Sequence, residues 1–199
     1  MSYKVDSITE DCYPGTTCLI NKFGIRDEAK LAMVEAGITA LKEAELLENP
    51  LSGDFDFEHY KKIHRYLFED IYTWAGEVRT VDIAKKDTRF IEVSEIEPAA
   101  NRAFNRLHSC NCFKDYPFSK FIENIVDFYC ITNFLHPFRE GNGRTQRAFF
   151  TQLIRNAGYD INFADIDGDE LMVATIHGAK GIRDGLINIF SYAIYNQNP

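Results

Sequence analysis

The chain has 199 residues, a formal net charge of −8, and 45% hydrophobic and 26% charged residues. That composition fits one soluble globular domain, 1–199, large enough to bury an apolar core. The acidic balance excludes a surface built from clustered lysine and arginine for nucleic acid, and the short, charge-broken apolar stretches exclude a membrane span.

The N-terminus lacks the basic-then-apolar layout of a secretory leader, so a cytoplasmic protein is expected. Five cysteines, an odd count, then read as reduced thiols. From Asp27 to Leu47, the apolar residues Leu31, Val34, Ile38, Leu41 and Leu46 predict a helix ending at Asn49-Pro50. Tyr60, Ile63, Leu67 and Ile71 predict a second between Phe57 and Tyr72. Val78 to Val93 breaks the helical pattern. There β-branched residues flank a polar centre, which predicts a hairpin that must lean on the helices. Cys110-Asn111-Cys112 has the look of half a metal site but lacks a second ligand pair at zinc spacing.

Pro117 opens a predicted helix, Phe118 to Phe134, with Phe121, Ile125, Phe128 and Ile131 inward. Arg144 to Asn156 predicts the next, closed by Gly158. Asp169 is the expected cap of a further helix through Met172 and Ile176, and the last runs from Ile182 to Tyr195. The Asp165-x-Asp167-x-Asp169 run fails as a calcium loop, because Glu170 stands where glycine is needed. An acidic helix start is the simpler reading, and the segment is a candidate border for a nucleotide base. A mainly α fold, a helical bundle with one β-hairpin, is expected.

The chemistry is concentrated between two of these helices, in the run His136-Pro137-Phe138-Arg139-Glu140-Gly141-Asn142-Gly143-Arg144-Thr145-Gln146-Arg147. Pro137 forces a turn directly after His136. Gly141 and Gly143 let the main chain approach a ligand just before a helix begins, where unpaired N–H groups and the helix dipole favour an anion. Asn142 is placed to add an amide donor. Arg144 and Arg147, three apart, can reach phosphate oxygens with paired donors. Glu140 beside such an anion calls for a bridging cation, and Mg2+ is the natural one. His136 is the residue suited to take a proton from an incoming hydroxyl. Phe138 is the expected apolar anchor. His59, His64, His108 and His177 have no such company and read as structural or exposed.

This run resembles the Fic motif, His-Pro-Phe-x-[Asp/Glu]-Gly-Asn-Gly-Arg-x-x-Arg, with every specified position filled. The stretch from Ile63 to Arg79 is similar to the segment that leads into the family's hairpin, and the motif-bearing core covers about residues 55–195. The resemblance implies the Fic fold and transfer of AMP from ATP to a hydroxyl side chain of a target protein. It implies His136 as base, Glu140 as magnesium ligand, and Gly141, Asn142 and Gly143 as anion hole. It further implies Arg144 on the outer phosphates and Arg147 on the γ-phosphate. The hairpin would be a flap that clamps the target by strand addition, with Lys85, Lys86 and Phe90 as contacts.

Many relatives carry an inhibitory helix of pattern [Ser/Thr]-x-x-x-Glu-[Gly/Asn]. Here Thr39 and Glu43 have the spacing but Ala44 follows, and Ser191 is followed at that spacing by Tyr195. Inhibition by a separate small antitoxin protein is therefore expected, as in short toxins of the family. Some of those modify topoisomerase subunits, which makes such a subunit a candidate target, on a Tyr, Ser or Thr hydroxyl. Two other readings stay open: a Doc-like protein kinase on the same fold, and a nucleotide-gated binding module without turnover. Doc-like relatives typically carry lysine where this chain has Gly143.

Overall fold

The computed structural model describes residues 4–5, 10–85 and 88–196. Within them the helices are α1 (Glu28–Glu48), α2 (Phe57–Phe68), α3 (Val93–Ser109), α4 (Phe118–Leu135), α5 (Asn142–Asn156), α6 (Gly168–Gly178) and α7 (Asp184–Ala193). Strands β1 (Lys4–Val5), β2 (Ile83–Lys85) and β3 (Thr88–Arg89) form one antiparallel sheet in that order, with Ala84 opposite Arg89 and Lys85 opposite Thr88. A second pair, β4 (Tyr159–Ile161) and β5 (Ile194–Asn196), closes the C-terminal end.

Aspartates start three of the helices. Asp27 accepts from Lys30 N at 2.7 Å, Asp56 from His59 N at 2.7 Å, and Asp167 from the N–H groups of Asp169 and Glu170 at 2.9 Å. The cap of α6 is thus Asp167 rather than Asp169, because only the residue before the helix has the extended backbone that turns its carboxylate onto the first N–H groups.

The core is aromatic, as its composition predicts. Tyr60 of α2 meets Phe104 of α3, Phe138 of the motif and Phe149 of α5 with ring centroids 5.2–5.7 Å apart. Phe138 is fully buried, so the motif loop is anchored in this cluster.

Four elements differ from the sequence reading. Helix α1 exists, but Leu41 is 75% exposed and the inward face is Leu31, Glu35, Thr39 and Leu46. Polar groups face inward there because the motif presents an arginine to them. Helix α3 escaped notice although Ile96, Ala100, Phe104 and Leu107 keep helical spacing. Pro98 lies in its second turn, where it deletes only the bond to the Ser94 carbonyl. The predicted hairpin strands shrink to β2 and β3. The predicted final helix stops at Ala193, after which buried Ile194 pairs with buried Ile161. Cys110-Asn111-Cys112 opens a left-handed turn, with positive φ at Asn111, Cys112 and Phe113.

Candidate active site

Helix α4 ends on His136, a non-glycine residue in the left-handed region (φ 39°, ψ 59°). A helix end leaves carbonyls without partners, and Pro137 brings no N–H. Arg79 fills the gap: its N–H donates to the Pro137 carbonyl at 2.8 Å and its Nε to the His136 carbonyl at 3.0 Å. The imidazole Nδ1 lies 2.9 Å from the Asn133 carbonyl. A carbonyl only accepts, so the ring proton is on Nδ1 and the lone pair is on Nε2. The Phe90 ring stacks on this imidazole at 3.7 Å and 11°.

Beyond Pro137 the loop is tied to itself and to α2. Asn142 Nδ2 donates to the Phe138 carbonyl at 2.7 Å, and its Oδ1 accepts from Phe138 N at 2.9 Å. The Asn142 side chain therefore fastens the loop, and its main-chain N–H is what remains for an anion. Gly141 has φ 79°, and a Cβ there would stand 2.2 Å from the Phe68 ring. Gly143 differs from expectation: it is helical, and a Cβ would meet only the Arg147 guanidinium, at 3.4 Å. No side chain caps the start of α5. Its first N–H groups have no carbonyl one turn earlier to bond, which is the condition for an anion site.

His64 is a structural brace with both nitrogens defined. Nδ1 accepts from Gly76 N at 2.8 Å, so Nε2 carries the proton and donates to the Glu140 carbonyl at 3.1 Å. The ring stacks on Phe138 at 3.8 Å. Burial pulls its pKa down to about 3, outweighing the bond to Glu140, so it is neutral near pH 7.

The two arginines diverge. Arg144 turns toward α1, where Nη2 donates to Glu35 and Nη1 to Thr39 Oγ1 at 3.1 Å. Arg147 lines a cavity of about 820 Å3, together with His136, Phe90 and Gly143. Ile161, Phe163, Ile166 and Met172 give the cavity an apolar stretch of wall, with Asn162, Thr175 and Lys180 beside it, so the segment around Asp165 does border this space. Gln152 also lines it, and its buried Nε2 has no hydrogen-bond partner among the described residues. Glu43 on α1 enters the cavity as well. Burial raises its pKa, against the opposing pull of Arg147 and Arg144.

Of the predicted residues, His136, Phe90, Gly143 and Arg147 share this cavity. Glu140, Gly141, Asn142 and Arg144 adjoin it along the loop rather than in its wall. The Glu140 carboxylate accepts from Gly141 N at 3.0 Å and lies 3.8 Å from Arg144. Lys85 ends β2, and Lys86 lies outside the described residues. Residues that sequence reading missed are Arg79, Glu35 and Gln152, and Thr39 and Glu43 were weighed there only as an inhibitory pair. Only Glu35 and Thr39 left a signal: they continue the spacing of four from Leu31, in register with the buried side.

Comparison with known proteins bears on the family and the fold. Residues 54–154 match the model of the Fic/DOC family. The probable protein adenylyltransferase Fic of Salmonella typhimurium is 37% identical over 182 residues, covering 92% of this chain and 90% of that protein. Protein adenylyltransferase VbhT of Bartonella schoenbuchensis is 38% identical over 86% of this chain, which spans only 36% of VbhT. Among solved structures, BepC of Bartonella tribocorum with bound AMPPNP has a TM-score of 0.85 at 26% identity, covering 94% of this chain and 97% of that one. The Fic domain of a Bartonella quintana effector with bound ADP gives 0.86 at 27%, covering 94% and 95%. By motif, fold and these similarities, the chain belongs to the Fic/DOC family.

Proposed function

We propose that the chain is a protein adenylyltransferase, which moves AMP from ATP onto a Tyr, Ser or Thr hydroxyl of a target protein and releases pyrophosphate. The observation that carries this reading is the meeting, on one cavity, of an imidazole with its Nε2 lone pair defined and the uncapped start of α5. Relatives named as adenylyltransferases and neighbours holding AMPPNP or ADP support it.

The target hydroxyl gives its proton to His136 Nε2 while its oxygen attacks the α-phosphorus, and the bond to the β-phosphate oxygen breaks. Asn133 keeps the imidazole in the required tautomer and stabilises its protonated form. The N–H groups opening α5 stabilise the charge on the α-phosphate oxygens, and Arg144 and Arg147 hold the outer phosphates. The apolar wall of the cavity takes the adenine. Catalysis is mainly positioning and charge neutralisation.

A magnesium ion fits the donor set. Glu140 would supply it one carboxylate, phosphate oxygens and water would supply the rest, and its charge would offset that of the phosphates. At the flap, β3 is an edge of the described sheet, so an extended target segment can add beside it, near Phe90. Lys85 and Lys86 complete this candidate contact. We assign the chain to the toxins held in check by a small antitoxin protein, acting in the cytoplasm, with a topoisomerase subunit as candidate target.

The kinase reading is the weaker one, since Gly143 stands where Doc-like relatives carry lysine. Incubation with ATP labelled on the α- or on the γ-phosphate separates the two. Label from the α-phosphate on the target supports AMP transfer, whereas label only from the γ-phosphate overturns it. His136→Ala should abolish transfer while ATP binding persists, and no transfer by the wild-type chain to any protein would leave only a binding module.

A further inference from the structure

Helix α1 precedes the span that the family model matches, residues 54–154, yet it reaches the motif. One Glu35 oxygen accepts from Arg144 Nη2 and the other from the Tyr72 hydroxyl. Thr39 Oγ1 accepts from Arg144 Nη1 at 3.1 Å and itself donates to the Glu35 carbonyl at 2.8 Å, which fixes its rotor. The Arg144 guanidinium lies 4.8 Å from the centre of the Phe68 ring. It is held by a carboxylate, a hydroxyl and an aromatic ring.

We propose that Glu35, with Thr39, is a positioning residue for nucleotide binding: it holds the Arg144 guanidinium ready for the outer phosphates of ATP. The ligand assignment rests on the adenylyltransferase reading. An unrestrained arginine loses rotamer freedom when it grips a phosphate, and one fixed in advance has already lost it. Of five guanidinium N–H donors, two serve α1, which leaves others for a ligand. A carboxylate near phosphate would ordinarily repel it. Glu35 is only 7% exposed and both its oxygens are engaged, so its charge acts on Arg144 and is largely hidden from the ligand.

Calorimetric titration of the purified chain with ATP and with AMP, in magnesium buffer, tests this. Only ATP has outer phosphates. Glu35→Ala should weaken ATP binding about tenfold and leave AMP within about twofold. Glu35→Gln preserves the geometry, because its amide oxygen can accept from Arg144 and its NH2 can donate to Tyr72. It should bind ATP within about threefold of wild type. Thr39→Val should also weaken ATP selectively. Tighter or unchanged ATP binding in Glu35→Ala would make Glu35 a restraint rather than a positioner and overturn the proposal. Parallel loss of ATP and AMP would reduce its role to structure and overturn it too. If Glu35→Ala does not fold, unchanged ATP affinity in Thr39→Val overturns it. These affinities are read without turnover, so a failure to transfer AMP would unseat the functional reading and leave this result standing.

Discussion

At the scale of single residues, His64 shows how a neutral group can organise a charged site. It bridges Gly76, which leads into the flap, and Glu140, in the motif. Its folded pKa of about 3 lies well below the ordinary 6.5. Between those values the unfolded chain binds a proton that the folded chain refuses, so the unfolded state gains as pH falls. The His64 contribution is complete above about pH 6.5 and is lost progressively toward pH 3, up to roughly 4–5 kcal/mol. Urea unfolding across this range should show it. Carboxylates titrate there as well, so the informative quantity is the difference from His64→Gln, which can make the same two bonds without taking a proton. Equal pH slopes for the two proteins would contradict the assignment.

At the scale of elements, the turn from motif loop to α5 depends on Gly141. A side chain there meets both the left-handed φ of 79° and the Phe68 ring 2.2 Å away. Gly141→Ala should lose about 2–4 kcal/mol in denaturant unfolding. Gly143→Ala, helical and meeting only the tip of Arg147, should lose much less. The motif itself was plain in the sequence because its residue types are each tied to a job: proline to break, glycine to turn, histidine to take a proton. Helices α2 and α4 were legible because their apolar residues keep one face, and α5 because the motif opens it and Gly158 closes it. Helix α1 was legible as a helix, but not as a contributor to the site. Its buried polar residues break the apolar pattern, and only the position of Arg144 explains them. Arg79 was illegible for another reason: apart from the Asp82 carboxylate three residues on, its guanidinium partners are main-chain carbonyls, which carry no sequence signature. The strand β5 was hidden because Ile194 and Tyr195 fit a continuing helix equally well, and only its partner β4 decides the matter.

At the scale of the whole molecule, the acidic body holds its cations locally, and the fold brings them in from separate stretches of chain. The family span carries the reactive loop, α1 braces one arginine, and the segment after α5 supplies the apolar wall. Arg79 joins two of the working parts. Its guanidinium donates to the carbonyls of Val81 and Ile91 on either side of the flap and to that of His136. It is 3% exposed and its attachments are short-ranged, so movement in one part has to be accommodated by the others. If the hairpin clamps the target as proposed, a peptide that orders it would also steady the imidazole, and by thermodynamic reciprocity whatever fixes the imidazole would favour the peptide. In Arg79→Lys, with a single ammonium in place of the fork, peptide affinity and kcat should fall together while ATP affinity holds. Capture of the acceptor and steadying of the base would then be one equilibrium.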